Sequence, residues 1–185
     1  MYYMLSCFGP MDRDRATIGE VPEIEGVSWM TGQRIAVPLR TPIEVDLDTS
    51  EGDALVPMFN SGILLLREDM VAALREAGVD NLDVYDAIIH DRDTGVDHRN
   101  YKAVNIVGAV ACADLGASQH VAHGEPVIDV DFDGLVIDES KTGGALMFRL
   151  AESINGIIVH ESVKDHLERA GIPYLDFIEP SEWVG

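Results

Sequence analysis

The residues that come closest to a site for chemistry are three aspartates at alternate positions, Asp129, Asp131 and Asp133, followed by Gly134. An EF-hand calcium loop has acids at its first, third and fifth positions and glycine at its sixth. The same loop needs a bidentate acid at its twelfth position, where this chain has Ser140. Apolar residues also alternate with the aspartates, which is typical of a half-buried strand. We therefore favour a strand that enters a hairpin over a calcium site.

Histidine, serine and cysteine residues give no stronger indication of catalysis or metal binding. His120 and His123 have a spacing that two metal ligands could use, but no obvious third ligand stands near them in the sequence. The chain lacks the Gly-x-Ser-x-Gly elbow of a hydrolase and the glycine-rich loop that cradles phosphates. We therefore expect no metal, no cofactor and no catalytic residue, and we expect the protein not to be an enzyme.

The strongest compositional signal is negative charge. The 185 residues include 33 acidic and 13 basic side chains, which gives a formal net charge of −20. Such a chain repels nucleic acids and anionic membranes, because it has no basic stripe that would release the counterions of their phosphates. It attracts cations, and a basic protein is the commonest macromolecular cation. The alternative is that the acidity serves only solubility.

We expect a protein that stays in the compartment where it is made. The first residues lack the basic and long apolar regions of a signal peptide, and no apolar run approaches the roughly 18 residues that span a bilayer. The two cysteines, Cys7 and Cys112, are far apart and lack metal-binding spacing. We expect both to be reduced thiols in a cytoplasmic protein.

Two segments share one pattern of strand, helix, glycine and strand. Helical spacing of apolar residues predicts helices over Glu68–Ala77 and Glu161–Ala170, and each is followed by a glycine that favours a left-handed helix end. When these two glycines are aligned, Leu74 matches Leu167. A unit of this kind cannot bury its helix face alone, so we predict that the two units pack on a shared sheet.

The segments around the helices predict a mainly antiparallel sheet. Tyr101–Cys112 is rich in valine, isoleucine and alanine and predicts a central strand with a bend at Gly108. The Asp-Gly pair at 133–134 separates the runs Val127–Phe132 and Leu135–Ile137, and it predicts a hairpin between them. The predicted fold class is α+β, with a mainly antiparallel sheet and two principal helices in a repeated strand–helix–strand unit.

The first 60 residues differ from the rest of the chain because they are irregular and acidic. Residues 9–34 are rich in Gly, Pro, Asp and Glu, and we expect Trp29 to pin this long loop to the core. Prolines interrupt the short β-like runs of residues 35–59, which predicts edge strands or extended loop. We therefore divide the chain into an N-terminal segment, 1–60, that packs on an α+β domain, 61–185, in one structural unit.

Alternating side chains predict a strand with two different faces over Leu146–Leu150. Arg149 is the one basic residue in this run and points away from Phe148. We expect Arg149 to pair with a carboxylate on the sheet, and so to organise structure rather than catalysis.

A series of short sequence pieces occurs in order along nearly the whole chain. The pieces are Tyr2–Ser6, Trp29–Gly32, Leu74–Asn81, Tyr101–Gly108, Leu135–Asp138, Leu146–Leu150 and Ala170–Gly171. In this order they resemble the family-eleven immunity proteins of bacterial polymorphic toxin systems, formerly described as a domain of unknown function. His160 departs from the pattern, because a small polar helix cap is expected there.

The resemblance implies a non-catalytic protein that is produced beside a toxin, binds it in the producing cell or a sibling cell, and blocks it. The acidic composition agrees, because an acidic inhibitor is steered electrostatically to a basic toxin. Two other classes stay open: a small hydrolase or transferase that acts on a cationic substrate, and an acidic scaffolding domain. Self-association also stays open.

Acidic residues in predicted loops are our candidates for the toxin-binding surface. Asp91, Asp93 and Asp97 follow the strand that comes after the first helix. Asp131 and Asp133 lie beside the predicted hairpin turn. The choice rests on loop position, since loops are where binding residues concentrate.

Overall fold

The computed structural model describes residues 1–124 and 129–185, and in these ranges it combines two α-helices with many short strands. The helices are α1 (Glu68–Glu76) and α2 (Glu161–Ala170). The strands are β1 (Tyr2–Cys7), β2 (Thr17–Ile18), β3 (Ile43–Asp48), β4 (Met58–Ser61), β5 (Ile63–Arg67), β6 (Leu82–Asp91), β7 (Val96–Ile106), β8 (Ala109–Val110), β9 (His120–His123), β10 (Asp129–Phe132), β11 (Met147–Leu150), β12 (Ile157–His160) and β13 (Leu175–Ile178). The α+β class predicted from the sequence is confirmed.

Two sheets carry most of the strands. The first sheet has six strands in the order β2-β3-β6-β7-β5-β4, and the second has five in the order β13-β1-β12-β11-β8. Strands β9 and β10 form a separate antiparallel pair. Among the described strands, the parallel neighbours are β3 with β6 and β11 with β8. The sheets are therefore mainly antiparallel, as predicted.

The two strand–helix–strand units are β5–α1–β6 and β12–α2–β13, and they build different sheets. In each unit a third strand lies between the other two and is antiparallel to both. That strand is β7 in the first unit and β1 in the second. The repeat is confirmed, but the prediction of a shared sheet is wrong. Each unit recruits its own middle strand and its own hairpin partner, β4 or β11.

The two helices join the sheets into one core. Helix α1 contacts β5 and β7, α2 contacts β12 and β1, and the helices contact each other. Leu74 and Leu167 are fully buried in this shared core. The equivalence predicted for the two leucines therefore agrees with their burial.

Local sequence sets where the helices begin and end. Gly171 adopts φ 69° at the end of α2, and Gly78 adopts φ 92° just after α1, in the left-handed region that favours glycine. The predicted α1 end at Ala77 is one residue beyond the observed end, with Ala77 as the cap. His160 caps α2, because its imidazole accepts a hydrogen bond from the N–H of Ser162. A histidine therefore makes the capping hydrogen bond that was expected from a small polar residue.

Strand β11 has two different faces, as the alternation predicts, and both faces are buried. Met147 packs into the core with the helices, whereas Phe148 and Leu150 pack into a second cluster with Phe132 and Trp183. The second sheet is therefore covered on both sides.

The chain crosses from the first sheet to the second at Gly108. Strand β7 ends at Ile106 and β8 begins at Ala109, so the run Tyr101–Cys112 contributes to both sheets instead of forming one strand. Gly108 adopts φ 130°, which a residue with a side chain rarely does. The predicted bend is confirmed and marks a change of sheet.

Hydrogen bonds from separate loops fix this crossing. The Gly108 N–H donates to the Gly32 carbonyl, and the Val107 N–H donates to the Asn81 carbonyl, both at 2.8 Å. The side-chain amide of Asn81 donates to the carbonyls of Val107 and Met147, both at 2.9 Å. Asn81 therefore connects the two sheets, because Val107 follows β7 and Met147 begins β11.

The predicted hairpin at Asp133-Gly134 is wrong. Strand β10 pairs with β9, and the segment after Gly134 binds the C-terminal residues instead. The Gly134 N–H donates to the Trp183 carbonyl at 2.9 Å, and the Leu135 N–H donates to the Pro180 carbonyl at 2.8 Å. The Asp-Gly turn is therefore bonded to the C-terminal segment and does not connect two paired strands. The start of the predicted run, Val127 and the residue after it, lies outside the described residues.

The N-terminal segment supplies strands to both sheets. Trp29 is buried, and its ring meets the Tyr85 ring edge-on, with centroids 5.7 Å apart, so its predicted anchoring role is confirmed. Strand β3 lies between β2 and β6, so the prediction of edge strands or loop is wrong for this run. Pro42 stands just before the first residue of β3, where it removes no hydrogen bond from the ladder.

We predict that Leu74→Ala and Leu167→Ala each lower the free energy of unfolding by about 2–5 kcal/mol, because each leaves a cavity in the shared core. Leu115→Ala is the control, since Leu115 is exposed on a loop. Urea denaturation measures all three. Stabilities of both core variants close to that of the wild type would contradict the packing of the helices.

Gly32→Ala and Gly95→Ala form a matched pair that tests the crossing between the sheets. The two glycines have nearly equal φ values, 70° and 72°. A Cβ on Gly32 would lie 2.7 Å from the Ala109 nitrogen, whereas one on Gly95 would meet nothing within 4 Å. We expect Gly95→Ala to cost about 1–2 kcal/mol and Gly32→Ala roughly 1–3 kcal/mol more. Equal losses in urea denaturation would show that the close approach at Gly32 is unimportant.

Candidate functional site

The acids predicted to bind a partner fall into two separate groups. Asp91, Asp93 and Asp97 lie together in the hairpin between β6 and β7, at one end of the first sheet. Asp131 and Asp133 lie in and just after β10, which belongs to the separate β9–β10 pair. The five residues therefore do not form a single site.

Strand β3 adds a second row of acids beside the hairpin group. Its acids alternate with buried apolar residues, so they project from the face of the sheet that is turned to solvent. Asp46 is the register partner of His90 on β6. We call this surface the acidic end; it comprises Glu44, Asp46 and Asp48 of β3 with His90, Asp91, Asp93 and Asp97 of the hairpin.

His90 lies between two carboxylates of the acidic end. Its Nδ1 lies 2.6 Å from an oxygen of Asp97, and its Nε2 lies 3.3 Å from an oxygen of Glu44. The hydrogen bond to Asp97 raises the pKa of His90 above its ordinary value, against a smaller effect of desolvation. The same bond lowers the pKa of Asp97. When it is protonated, the ring holds together two carboxylates that would otherwise repel each other.

The tip of the hairpin is ordered by its own side chains. Asp91 accepts hydrogen bonds from the backbone N–H groups of Asp93 and Thr94, each at 3.0 Å. Hydrogen bonding to Thr94 lowers the pKa of Asp91. The Thr49 hydroxyl donates to Asp93 and ties the tip to the loop after β3. Asp91 is therefore a turn residue, while Asp93 presents a carboxylate to solvent.

Two arginines share this surface without neutralising it. Arg92 pairs with Asp46 at 2.8 Å, and Arg99 pairs with Asp97 at 2.7 Å. A groove of about 460 Å³ opens beside the pair of Arg92 and Asp46. Its charged and titratable lining consists of Glu20, Glu23, Glu44, Asp46, His90 and Arg92. Four carboxylates against one guanidinium and one imidazole make a groove suited to ammonium or guanidinium groups.

In the second group of predicted acids, the Asp131 side chain and the Asp133 backbone have hydrogen-bond partners. Asp131 lies 2.7 Å from the Nε2 of His123 on the neighbouring strand. The backbone N–H of Asp133 donates to the Gln119 carbonyl. In an extended strand, alternate carboxylates lie roughly 7 Å apart and cannot wrap one ion as an EF-hand loop does. The calcium-like spacing at Asp129 is therefore the spacing of the outward face of β10, whose Val130 is buried.

Arg149 is fully buried, and the carboxylate partner expected for it is absent from the described residues. Among the described residues, no Asp or Glu oxygen lies within 4.0 Å of its guanidinium. The guanidinium donates to the Ile154 carbonyl at 2.8 Å and to the Asn60 side chain at 3.4 Å. Burial lowers the pKa of Arg149 to about 10, so it stays charged at neutral pH. The ion pair predicted from the sequence is wrong; Arg149 instead links β11 to β4 through Asn60.

Other candidate chemistry finds little support in the described part of the chain. Residues 1–124 and 129–185 contain no group of three or more His, Cys, Asp and Glu side chains that could hold a metal ion. His120 and His123, three positions apart on β9, point to opposite sides of the strand. Cys7 and Cys112 are buried free thiols, and burial raises the pKa of both, that of Cys112 to about 11. Neither thiol is an activated nucleophile.

Sequence reasoning missed the contribution of β3 to the acidic end. The signal was present in Ile43–Asp48, where an acid occupies every second position between buried apolar residues. The prolines of this region favour edge strands or loop, whereas the alternation indicates a strand with one face in solvent. His90 was missed because its role depends on Asp97, which the β6–β7 pairing brings opposite.

We predict that His90→Gln destabilises the protein in a pH-dependent way. The pKa of His90 is raised above 6.5 in the folded state. The stabilisation is therefore fully present below pH 6.5 and is lost as the pH rises through the raised pKa. The difference in unfolding free energy between wild type and variant should shrink over this range, as followed by urea denaturation from about pH 5 to about pH 9. His120→Gln is the control, and a pH-independent effect of His90→Gln would contradict the ion pairs.

Comparison with known proteins assigns no family to the chain. No protein-family model matches it, and no curated protein matches its sequence significantly. Within residues 1–124 and 129–185, no helix is both long enough and apolar enough to cross a membrane. The charge and geometry of the acidic end are therefore the observations that bear on function.

Proposed function

We propose that this protein binds a basic bacterial toxin and neutralises it, as an immunity protein of a polymorphic toxin system. The observation that carries the proposal is the acidic end, where carboxylates of β3 and of the β6–β7 hairpin form one surface. The chain has a formal net charge of −20, which steers a cationic partner toward it from a distance. Complementary charge raises the rate of encounter and excludes partners of the wrong sign.

The acidic end suits protein recognition because its acids are held in place before a partner arrives. His90, Arg92 and Thr49 each bind a carboxylate of this surface. Side chains that are already ordered lose less conformational entropy on binding. A toxin that presents Lys or Arg side chains would meet fixed carboxylates, with the groove beside β3 available for a long cationic side chain.

The resemblance to family-eleven immunity proteins supports the inhibitory part of the proposal. Pieces that carry the resemblance meet at the crossing between the sheets, where Gly108 is hydrogen-bonded to Gly32 and Val107 to Asn81. These pieces therefore concern the framework of the fold. The acidic end lies outside them, as expected if each immunity protein adapts its binding surface to its own toxin.

The proposal also places the protein in the cytoplasm of the producing cell, where it would meet the toxin before export. Cys7 and Cys112 are both free and buried, which suits a reducing compartment.

The direct test is rescue of cells that express the protein encoded by the neighbouring reading frame. If that protein is toxic, coexpression of this chain should restore growth, and the two purified proteins should form a complex. Growth arrest that persists despite soluble expression of both proteins would refute the proposed neutralisation.

We predict that association with the toxin depends on the acidic end rather than on β10. Glu44→Gln combined with Asp93→Asn should slow association roughly two- to tenfold at low ionic strength, part of the 10–10³ range of electrostatic steering. Asp131→Asn combined with Asp133→Asn removes the same charge and serves as the control. Stopped-flow kinetics over a salt series measure both, and the difference should fade as the Debye length shortens to about 8 Å. Equal effects of the two double variants would mean that only net charge matters.

A further inference from the structure

Three large apolar side chains stand out in solvent just after β1 and just before β13. Phe8 is 62 % exposed, Tyr174 is 42 % exposed and Met11 is fully exposed. We call these three residues the apolar patch. Single exposed apolar residues are ordinary, but aromatic and methionine side chains grouped on the surface mark interaction sites.

Strand pairing and loop contacts bring the three residues together. Cys7 of β1 is the register partner of Leu175 of β13, and Phe8 and Tyr174 are the residues next to this pair at the same end of the sheet. Beyond Phe8 the chain turns at Gly9, which adopts φ 89°. The loop then folds back, because the Arg15 guanidinium donates to the Cys7 carbonyl. Met11 lies in this short loop, three residues after Phe8, and the two ends of the loop, Gly9 and Arg15, lie close together.

The loop that contains Met11 of the apolar patch is hydrogen-bonded to a second segment of the chain. The Ala54 N–H donates to the Asp14 carbonyl at 3.1 Å, and the Ala16 N–H donates to the Ala54 carbonyl at 3.0 Å. Tyr174 adopts φ 63°, the only positive φ of a non-glycine residue in the described part of the chain. Such a conformation is strained and persists where the surroundings impose it. The exposure of these side chains is thus a feature of the ordered structure.

A short loop connects the apolar patch to the acidic end. Thr49 donates its hydroxyl to Asp93 at the hairpin tip. Four residues later, Asp53 pairs with Arg13 at 2.7 Å. Four residues span at most about 14 Å, whereas a standard protein interface covers about 800 Å² on each partner, roughly 30 Å across. One partner can therefore cover both features.

Charge around the apolar patch has the same sign as at the acidic end. Asp12 and Asp14 flank Arg13 in the loop, and Asp176 follows Tyr174 on β13. Arg13 is paired with Asp53, and Arg15 donates to the Cys7 carbonyl, so carboxylates outnumber guanidinium groups around the patch. A partner for this surface would carry an apolar side chain flanked by lysine or arginine.

We propose that the apolar patch is the energetic centre of the interface with the basic toxin, and that the acidic end is its rim. This inference rests on the proposed function and adds which surface the toxin covers. Desolvated aromatic anchors provide most of the affinity of an interface, whereas rim charges mainly set the association rate. The two features should therefore act on different rate constants.

The first experiment uses two synthetic peptides as probes, one alternating lysine with leucine and one alternating lysine with serine. Each is titrated into the full ¹⁵N-labelled chain, and the backbone amide signals are followed by NMR. The lysine–leucine peptide should bind more tightly and shift the signals of Phe8, Met11 and Tyr174. If both peptides bind equally and shift only signals of the acidic end, the apolar patch is not the energetic centre of the interface. The electrostatic binding proposed for the acidic end is then still supported. If neither binds, both proposals lose support.

The second experiment measures dissociation of the toxin from variants of the patch. Phe8→Ser combined with Tyr174→Ser should speed dissociation by about tenfold or more, with little change in the association rate. Val121→Ser is the control, because Val121 is 60 % exposed on β9, far along the chain from the patch. Thermal unfolding of each variant excludes loss of the fold as the cause. Normal dissociation of the double variant, with toxin still bound through the acidic end, would overturn the inference and leave the proposed function intact.

Discussion

The structure depends on the crossing at Gly108, where the chain leaves the first sheet and enters the second. Gly32 lies so close to Gly108 and Ala109 that a Cβ there would overlap their backbone. The Asn81 amide donates to carbonyls at the end of β7 and the start of β11. A single side chain that satisfies buried carbonyls of both sheets is costly to replace, because each would otherwise be left unpaired. The relative position of the sheets, and hence of every surface on them, follows from this contact.

The two helices could be predicted from the sequence because their signals are local. Apolar spacing and the terminal glycines at Gly78 and Gly171 act within a few residues. The division of the strands between two sheets could not be predicted, because it depends on which distant strand enters each unit. Strand β1 pairs with β12 and β13 near the other end of the chain. The prediction of a hairpin at Asp133-Gly134 is wrong for the same reason, because hydrogen bonds to the C-terminal segment outweigh the local preference for a hairpin.

Only the part of the candidate site that lies in the β6–β7 hairpin could be predicted from the sequence. Asp93 and Asp97 were found because loop acids near a hairpin are plausible binding residues. The other acids of this surface, Glu44 and Asp46, lie on β3, about fifty residues earlier in the chain. They reach the hairpin only through the parallel pairing of β3 with β6. No sequence pattern specifies that pairing. The alternation of acids along β3 does indicate an outward acidic row, so only its location required the structure.

The arrangement of charge favours recognition over solubility as the reason for the acidity. Carboxylates that serve only solubility gain nothing from being crowded together, because crowding raises their mutual repulsion. At the acidic end the fold instead uses His90, Arg92 and Arg99 to hold acids side by side, although the whole chain has only 13 Lys and Arg residues. Placing scarce cations where they order a cluster of anions stabilises a fixed pattern of charge. A fixed pattern can be matched by a partner, and matching by a specific cationic surface is what the proposed inhibitor requires.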